Sequence, residues 1–410
     1  VAEAVFREMV KETGVRVCFE APIRDVRKVG ATIRELVSGD GLRIRAKVYI
    51  DASYEGDLMA MAGVSCTLGR EANAQYGETC NGVQGPALNP RAGRFDVSVS
   101  PYVVRDKPES GLLPYLVQPG ALEAPGTADK RIQSYNYRVT LTDNPTNRIF
   151  IQPPRNYNPA NFELLARWAE ARQAAGKKLF LRDFLKYDPL QNGKYDFNNR
   201  WAISTDFVGG GADGYPEGTP AERGRIAKAH EDYLRGFFHF LSVSPRIPDA
   251  VRLEMGRFGL CRDEFVDSGG WPHQIYVREA RRMISDFVMT EHHCVGTRLA
   301  PRSIGMGAYG IDMHAARRVA HKGEAVNEGT RSPRVPAPYP IAFDAVIPKA
   351  AECGNLLVPF ALSASHVAFG SIRMEPTFMI LSQSAATAAS MAIRDGCTVQ
   401  GVSYERLRQR

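Results

Sequence analysis

A strong apolar pattern lies near the C-terminus, between Asn355 and Ile393. Leu356–Val358 predicts a short buried strand, and the polar positions that follow it predict a loop. An uncharged run begins at Pro376 and predicts a long helix, because proline suits the first helical turn. Its many Ala and Ser residues would let another backbone or a flat ligand approach closely, although a buried helix packed on a sheet gives the same pattern.

The first sixty residues combine one helical pattern with several strand patterns. The predicted elements are a helix at Ala2–Thr13 and strands at Val15–Phe19, Pro22–Lys28, Thr32–Val37 and Leu42–Asp51. Asp51 and Ser53 would lie at the carboxyl end of the last strand, where ligands of open α/β sheets bind. Asp57 would begin a short helix directly afterwards, and an alternative role for its side chain is to cap that helix.

Between Cys66 and Pro340 the chain has long loops interrupted by proline and glycine, without an internal repeat. Ser134–Asp143 alternates in polarity as a strand does. Helical patterns occur at Asn161–Ala175, Ala221–Ser242 and Tyr276–His292. The patterns in the middle of the chain therefore predict a mixture of helices, strands and loops.

Composition argues against several classes of protein. The 410 residues carry a net charge of +7, but the basic residues are dispersed, which does not favour nucleic-acid binding. The seven cysteines form no CxxC pair and do not support a disulfide framework, a zinc site or a 4Fe-4S cluster. The run that begins at Pro376 is too polar for a membrane span, so we expect a soluble protein. Because the chain starts at Val1, we expect its true N-terminus to be absent. The sequence therefore does not indicate the cellular compartment of the protein.

Three segments resemble a family of FAD-dependent oxidoreductases that has also carried the label xanthan lyase. They are IDASYEGDLMAMAGV at Ile50–Val64, GGWPHQIYVREARRM at Gly269–Met283 and the stretch Leu356–Ala389. This family is distantly related to the flavin-binding chain of heterodisulfide reductase. The resemblance implies an α/β fold with a Rossmann-like FAD domain of the two-dinucleotide-binding type and a large inserted α+β substrate domain. It divides the chain into FAD-binding residues 1–66, a substrate or lid domain at 67–340 and FAD-binding residues 341–410.

The phosphate-binding loop of such a domain is missing from its expected place. Rossmann-like FAD sites carry a GxGxxG loop after their first strand. The literal match at Gly305–Gly310 follows no convincing strand, and we predict it to be a loop of the substrate domain. We therefore expect the FAD domain to be incomplete at its N-terminus, without its first βαβ unit, and the fragment to bind FAD weakly or not at all.

The resemblance also implies which residues meet the cofactor. The final helix would direct its electropositive N-terminus at the flavin ring, where it would stabilise the anionic reduced form. The residues expected to contact FAD are Ile23, Asp51, Ala52, Ser53, Asp57, Arg70, Gln84, Ser363, Ser365, Gly370, Ser371 and Ile372.

Two polar clusters offer groups for hydride-transfer chemistry, which needs a proton carrier and cations for a developing oxyanion. His366 is the first candidate for a catalytic base, because its ordinary pKa of about 6.5 suits proton exchange near neutral pH. The alternative is a hydrogen-bonded loop histidine. Arg373 would hold the flavin or a substrate carboxylate, or would pair with Glu375. His273 and Arg278 belong to a second cluster that suits a polar or anionic substrate, unless Arg278 lies on a solvated helix face.

Two further clusters have weaker interpretations. Asn198–Pro216 contains Asp206 and a glycine-rich loop, and predicts either a clamp for a hydroxylated substrate or a structured turn. Glu291–Cys294 combines His, Glu and Cys residues, but neighbouring residues of a helix point in different directions. We therefore expect no metal site there.

Two functions remain open. The chain is either a self-contained FAD-dependent oxidoreductase acting on a small polar, carbohydrate-like molecule with an unknown electron acceptor, or a flavin subunit that passes electrons to an iron–sulfur partner. A polysaccharide lyase is a third possibility, suggested only by the older family label.

Overall fold

The computed structural model describes residues 2–85 and 94–410, which form a mixed α/β fold. Among these residues the α-helices are α1 (Ala2–Thr13), α2 (Asp57–Met61), α3 (Asn73–Tyr76), α4 (Glu163–Ala174), α5 (Pro220–Val243), α6 (Asp249–Arg257), α7 (Glu291–Cys294), α8 (His366–Ile372), α9 (Glu375–Asp395) and α10 (Tyr404–Arg408). The strands are β1 (Ile23–Val29), β2 (Thr32–Ser38), β3 (Arg43–Ile44), β4 (Tyr49–Ile50), β5 (Cys66–Thr67), β6 (Val139–Thr142), β7 (Arg148–Ile149), β8 (Lys186–Pro189), β9 (Lys194–Asn198), β10 (Gly259–Cys261), β11 (Arg282–Met283), β12 (Ser303–Gly307), β13 (Arg317–His321), β14 (Glu324–Glu328), β15 (Tyr339–Ala342) and β16 (Leu356–Leu357).

A short parallel pair of strands joins an N-terminal segment of the chain to a C-terminal segment. Strand β4 pairs with β16, so that Tyr49 lies beside Leu356 and Ile50 beside Leu357. The Asn355 side chain continues this connection, because it exchanges two hydrogen bonds of 2.9 Å with the backbone of Ile33 in β2. The antiparallel sheet β1–β2–β3 is thereby held next to the parallel pair.

The middle of the chain forms a second core around a five-stranded antiparallel sheet. The strand order is β7–β10–β6–β9–β8, and helices α4, α5 and α6 supply buried aromatic and aliphatic side chains to the same core. Trp168 of α4 and Tyr233 and Phe237 of α5 are fully buried there. Such large buried rings contribute much of the apolar area that stabilises a core.

The long C-terminal helix α9 packs closely on strand β12. A Cβ added at Gly305 would lie 2.8 Å from Ile380 Cγ2, so the glycine permits this approach. The hydroxyl of Ser384 donates a hydrogen bond to the Ile304 carbonyl at 2.7 Å. Two of the small residues of α9, Ala385 and Ala388, are completely buried. The alanine- and serine-rich pattern therefore serves helix–strand packing along this part of α9.

The structure confirms several elements that have a clear periodic pattern. The helices predicted at Asn161–Ala175 and Ala221–Ser242 correspond to α4 and α5, and α5 begins with a capping box formed by Thr219 and Glu222. The strands predicted at Pro22–Lys28 and Thr32–Val37 correspond to β1 and β2, which pair antiparallel, and the last predicted helix corresponds to α9, with Pro376 in its first turn.

Three loop and strand predictions were wrong. Val15–Phe19 forms no strand; Phe19 is 76% exposed, and without a pairing partner an isolated apolar run gains little from extended structure. The segment predicted as a loop before α9 contains α8, whose first turn is capped by the Ser365 hydroxyl. The predicted loop at Gly305–Gly310 begins inside β12, which pairs antiparallel with β15 and is not part of a βαβ unit.

The helix predicted at Tyr276–His292 is also wrong. Tyr276 N–H donates to the Asn136 carbonyl at 2.8 Å, and Met283 pairs with Cys66 where β11 meets β5. A helical turn forms only in α7. Arg278 is buried, so tertiary contacts replace the solvated helix face that the local pattern allowed.

No helix in residues 2–85 and 94–410 is long and apolar enough to cross a membrane.

We expect Gly259→Ala to lower the free energy of unfolding by about 1–3 kcal/mol, because the added methyl group overpacks the sheet. Its Cβ would lie 2.4 Å from the Ile149 carbonyl oxygen of the paired strand β7. Gly256→Ala is the matched control, since a Cβ there meets nothing within 4 Å and alanine favours the helix. Urea unfolding compares the variants, and equal stability would contradict the close packing of β10 on β7.

Candidate functional site

A cavity of about 1090 Å³ lies at the carboxyl end of β4, and we call it the strand-end cavity. Small-molecule and cofactor sites usually measure about 300–1,000 Å³, so this cavity can accept a large ligand. Five of the residues predicted to bind the cofactor line it: Ile23, Asp51, Ala52, Ser53 and Asp57. The prediction that ligands bind where this strand ends thus corresponds to an open space in the structure.

Asp51 shapes the loop beside this cavity. One carboxylate oxygen accepts hydrogen bonds from Ser53 N at 3.0 Å and Ser53 Oγ at 2.6 Å, and the other accepts from Met59 N at 2.8 Å. Gly56 in the same loop has a φ of 67°, and a Cβ there would lie 2.9 Å from Ala361 Cβ. Asp51 therefore holds a tight turn that only glycine can complete without strain.

Asp57 forms ion pairs with two arginines at the wall of the strand-end cavity. Its carboxylate accepts two hydrogen bonds from Arg223, at 2.6 and 2.8 Å, and one from Arg281 at 2.8 Å. Burial raises the pKa of Asp57, but the hydrogen bonds and charges of Arg223 and Arg281 outweigh burial and lower it. Asp57 thus has a larger role than the helix cap that its position also allowed.

The start of α5 lines the same cavity. Gly218, Thr219 and Pro220 belong to its wall, and the helix behind them has 24 residues. The N-terminus of a helix carries partial positive charge and favours anions. Together with Arg223 and Arg281, this helix start makes one side of the strand-end cavity suitable for an anionic group.

Three aromatic rings connect the Asp51 loop with the beginning of α9. Tyr54 packs on Phe360 with ring centroids 5.4 Å apart and on Phe378 at 6.1 Å, and Phe360 stacks on Phe378 at 4.3 Å. The strand end and the first turns of the last helix are therefore neighbours, as the resemblance implied.

A second cavity, of about 350 Å³, lies beside a chain of five alternating charges, and we call it the His314 cavity. Arg278 Nη2 lies 2.8 Å from Asp206, whose other oxygen lies 2.6 Å from His314 Nδ1. His314 Nε2 lies 3.1 Å from Asp312, which also lies 3.1 Å from Arg373 Nη2. Arg278 and Arg373, two of the predicted catalytic residues, are brought together by this chain.

The alternation of charge shifts the pKa of each central group. Burial and the nearby Arg278 lower the pKa of His314, but Asp206 and Asp312 outweigh them and raise it above its ordinary value. Burial raises the pKa of both aspartates, but the adjoining cations lower it below the usual range. The two carboxylates therefore favour the protonated form of the imidazole.

Sequence reasoning missed His314 and Asp312 as members of a site and noted Asp206 only within its loop. The available signal was the spacing Asp312-Met313-His314, because residues i and i+2 of an extended segment lie on one face. Gly370 of α8 lies against this segment: its carbonyl accepts a hydrogen bond from Asp312 N at 3.2 Å, and a Cβ on it would lie 3.3 Å from the Asp312 carbonyl oxygen.

Two buried polar atoms of residues that line the His314 cavity have no hydrogen-bond partner in the described residues. They are Trp201 Nε1 and Thr330 Oγ1, both of which are buried. Trp201 also has a φ of 65°, in the left-handed region that non-glycine residues rarely adopt. Unsatisfied buried polar groups are costly, so these atoms indicate a place where a ligand can bind.

His366 lies in a separate buried cluster. Its Nδ1 is 2.8 Å from Glu279, which lies 3.1 Å from Arg282 Nε, and Arg282 Nη1 lies 2.5 Å from Glu71. Burial raises the pKa of Glu71, but Arg282 and the backbone N–H of His366 lower it to about 2. Glu279 also accepts a bond from Gln133 at 3.4 Å, and Gln133 in turn accepts one from His314 N at 3.0 Å. This cluster is thus connected with the His314 cavity through Gln133.

Arg70 and Gln84 share one buried carboxylate. Arg70 Nη1 lies 2.6 Å from Glu328, which also accepts a hydrogen bond from Gln84 N at 2.7 Å. Asp129 binds the other side of the guanidinium, with 2.9 Å between Arg70 Nε and a carboxylate oxygen. Hydrogen bonds from Arg70 to Glu328 and Asp129 hold three distant segments together.

The predicted cofactor residues near α8 are buried and bonded within the chain. Ser363 Oγ accepts from Ser285 N at 3.2 Å, and Ser365 Oγ donates to Glu78 at 2.5 Å. The hydroxyls of Ser371 and Tyr339 lie 2.6 Å apart. Ile372 is completely buried.

His273 is set apart from the other predicted catalytic residues. Its side chain is 49% exposed, and its Nε2 lies 3.3 Å from Asp267. Its ring packs on Phe265, with centroids 5.4 Å apart. Among the described residues, no cluster of three or more His, Cys, Asp or Glu side chains could hold a metal ion.

A family model described as FAD dependent oxidoreductase matches residues 1–410 of the chain. No curated protein and no solved structure matches the chain.

We expect His314 to make stability depend on pH. A raised pKa stabilises the fold fully below about pH 6.5, the ordinary value for histidine, and this contribution is lost as pH rises through the folded-state pKa. Urea unfolding between pH 6 and 9 should therefore show a steeper loss of stability for the unaltered chain than for His314→Gln. His273→Gln, at an exposed position, should follow the unaltered chain. Parallel curves for the unaltered chain and His314→Gln would contradict the carboxylate–imidazolium arrangement.

Proposed function

Because the chain belongs to the FAD-dependent oxidoreductase family, we propose that it transfers a hydride between flavin N5 and a small polar, carbohydrate-like substrate. The observation that carries the proposal is the alternating chain of charges beside the His314 cavity. It joins the two arginines that the resemblance assigned to catalysis with a histidine that can hold a proton.

The strand-end cavity fits the adenosine diphosphate part of FAD. Its wall includes the apolar side chains of Ile23, Leu36 and Leu58, which suit an adenine ring. Arg223 and the start of α5 suit the negatively charged pyrophosphate. We propose that these groups, with the Ala52–Ser53 turn, hold this part of the cofactor.

The division of the chain into FAD-binding residues 1–66 and 341–410 around a substrate domain at 67–340 is part of the proposal. The pairing of β4 with β16 supports it, because one strand comes from each outer segment. In the described residues β4 pairs with no second strand, whereas parallel sheets are normally larger and covered on both faces. We therefore propose that a further βαβ unit with a phosphate loop completes this domain.

The residues of the His314 cavity would handle the proton and the charge of the reaction. When bound, FAD supplies the hydride acceptor or donor. In the oxidative direction a substrate hydroxyl would lose its proton to water as its carbon loses a hydride, and the His314 imidazolium would stabilise the negative charge that develops on the oxygen. In the reverse direction the same imidazolium would donate the proton to the substrate oxygen and regain it from solvent. Arg278 and Arg373, which pair with Asp206 and Asp312 and do not line the cavity, would add to the positive potential that stabilises negative charge on the substrate oxygen. An external electron acceptor then has to remove the two electrons.

His366 remains a second candidate for the proton carrier. Its contact with Glu279 fixes the imidazole ring, but the residue is buried and does not belong to the wall of the His314 cavity. We propose that His314 is the nearer group to the substrate and that His366 acts through the Glu279–Gln133 connection.

Turnover by the FAD-supplemented chain tests the function. An oxidisable sugar and an artificial electron acceptor should give steady-state turnover without another protein. Turnover only after addition of an iron–sulfur protein would instead favour the electron-transfer role. Binding of FAD without turnover under either condition would contradict both functions.

His314→Gln should lower kcat by about 10²–10⁴, the usual contribution of a general acid or base. The effect should depend on pH, whereas binding of FAD, measured by flavin fluorescence, should be unchanged. His366→Gln is the comparison, and a larger loss of kcat there would reverse the assignment of the two histidines.

Arg223→Gln should weaken FAD binding about 10- to 100-fold, the value of one charge-assisted hydrogen bond. Arg225→Gln is a matched control on the same helix, because Arg225 is 77% exposed and only 3.8 Å from Glu222 in a surface pair. Titration of the apoprotein with FAD measures both affinities. Equal affinity of the two variants would contradict a phosphate contact at the start of α5.

A further inference from the structure

The alternating chain of charges beside the His314 cavity carries more positive than negative charge. Asp206, His314 and Asp312 line the cavity, whereas Arg278 and Arg373 pair with the two aspartates and do not belong to its wall. In the alternating chain, the two carboxylates of Asp206 and Asp312 lie among three cations, Arg278, His314 and Arg373. The chain therefore ends in a guanidinium on both sides and keeps one uncompensated positive charge.

A second uncompensated charge lies behind the wall. Arg318 is completely buried and donates to the Asn327 side chain at 2.7 Å and to the carbonyls of Leu116 and Ala202 at 3.2 and 2.6 Å. These acceptors are all neutral, and no salt bridge in the described residues includes Arg318. Burial lowers the pKa of Arg318 to about 10, so it is still charged near neutral pH. Asn327 and Ala202 themselves line the cavity.

A third positive charge without a carboxylate partner among the described residues lies at the exposed rim of the His314 cavity. Arg200 lines the cavity and is exposed, and its side chain has no acidic partner in the part of the chain that the structure describes. The other exposed cation of the wall, Lys186, is neutralised by Asp188 at 2.6 Å. Arg200 is therefore available to a ligand without breaking an existing ion pair.

The same wall offers neutral donors. Trp201 Nε1 and Thr330 Oγ1 are buried without a partner among the described residues, and both residues line the cavity. An indole N–H can donate a hydrogen bond to a ligand hydroxyl group, and a threonine hydroxyl can donate or accept one. A volume of about 350 Å³ restricts the ligand to a small molecule.

We propose that the His314 cavity selects a small hydroxylated carboxylic acid in its anionic form, such as a sugar acid. The inference rests on the proposed function in placing the substrate in this cavity. Arg200 meets the carboxylate, the buried charge of Arg318 raises the potential inside the cavity, and the indole and threonine donors meet hydroxyl groups. A neutral sugar of the same size leaves the excess positive charge without a counterion.

Paired probes test the charge preference without requiring turnover. D-glucuronate and D-glucose share a ring and differ in one carboxylate, and glycerate and glycerol form a second pair. Calorimetric titration of the FAD-saturated chain should give at least tenfold tighter binding of each acid than of its neutral counterpart. The affinity for glucuronate should fall as NaCl is added, because salt screens charges at an exposed rim.

Arg200→Gln should reduce the affinity for the acids about tenfold and change the affinity for the neutral probes little, as expected for a lost charge-assisted hydrogen bond. Arg155→Gln, which removes an exposed charge elsewhere, is the matched control and should have no effect. Circular dichroism verifies that both variants fold.

The outcomes separate this inference from the oxidoreductase function. Charge-selective binding without turnover supports the inference and contradicts the function. Turnover of a neutral sugar, with equal or no binding of the acids, overturns the inference and leaves the function standing. If Arg200→Gln leaves the affinity for the acids unchanged, the inference is also overturned, because the carboxylate would then lie outside the His314 cavity.

Discussion

A buried guanidinium needs carboxylate or carbonyl oxygens to accept its hydrogen bonds, and the rest of the structure depends on this requirement. The largest fully buried side chains include five arginines: Arg70, Arg278, Arg282, Arg317 and Arg318. Their partners come from distant segments; Glu328, for example, is 258 residues from Arg70. Removing one partner of a buried pair commonly costs about 3–5 kcal/mol, since it leaves a charge without compensation. Long loops that hydrophobic packing alone would leave free are therefore held by ion pairs.

Backbone contacts place the two cavities relative to these ion pairs. The parallel pairing of β4 with β16 brings the Asp51 turn beside the segment that leads into α8 and α9. Gly370 of α8 then allows direct contact with the backbone of Asp312. The loop that ends a strand, the helix that follows the other strand and the acidic segment thus meet in one region. A side chain at Gly370 would push them apart.

The order of charges determines what the His314 cavity can do. Two carboxylates favour the protonated form of the histidine between them, and the neighbouring cations favour the ionised form of the carboxylates. Such an array is preorganised and need not reorient when charge develops on a bound molecule. His366 belongs to a cluster with more carboxylates than arginines, where its ring is fixed by Glu279. The two histidines therefore have different electrostatic surroundings although Gln133 connects them.

The sequence by itself determined the elements whose stabilising contacts are local, and it identified the family. Helices α4, α5 and α9 follow from periodicity, a capping box or a proline in the first turn, all read within a few residues. The sequence could not predict that Tyr276–His292 is extended, because its helical pattern is overridden by partners elsewhere in the chain. Nor could it pair His314 with Asp206, which lies 108 residues away. Only the tertiary structure decided these contacts. A buried charge pairs with an opposite charge that the fold places nearby, and that partner can come from a distant part of the sequence.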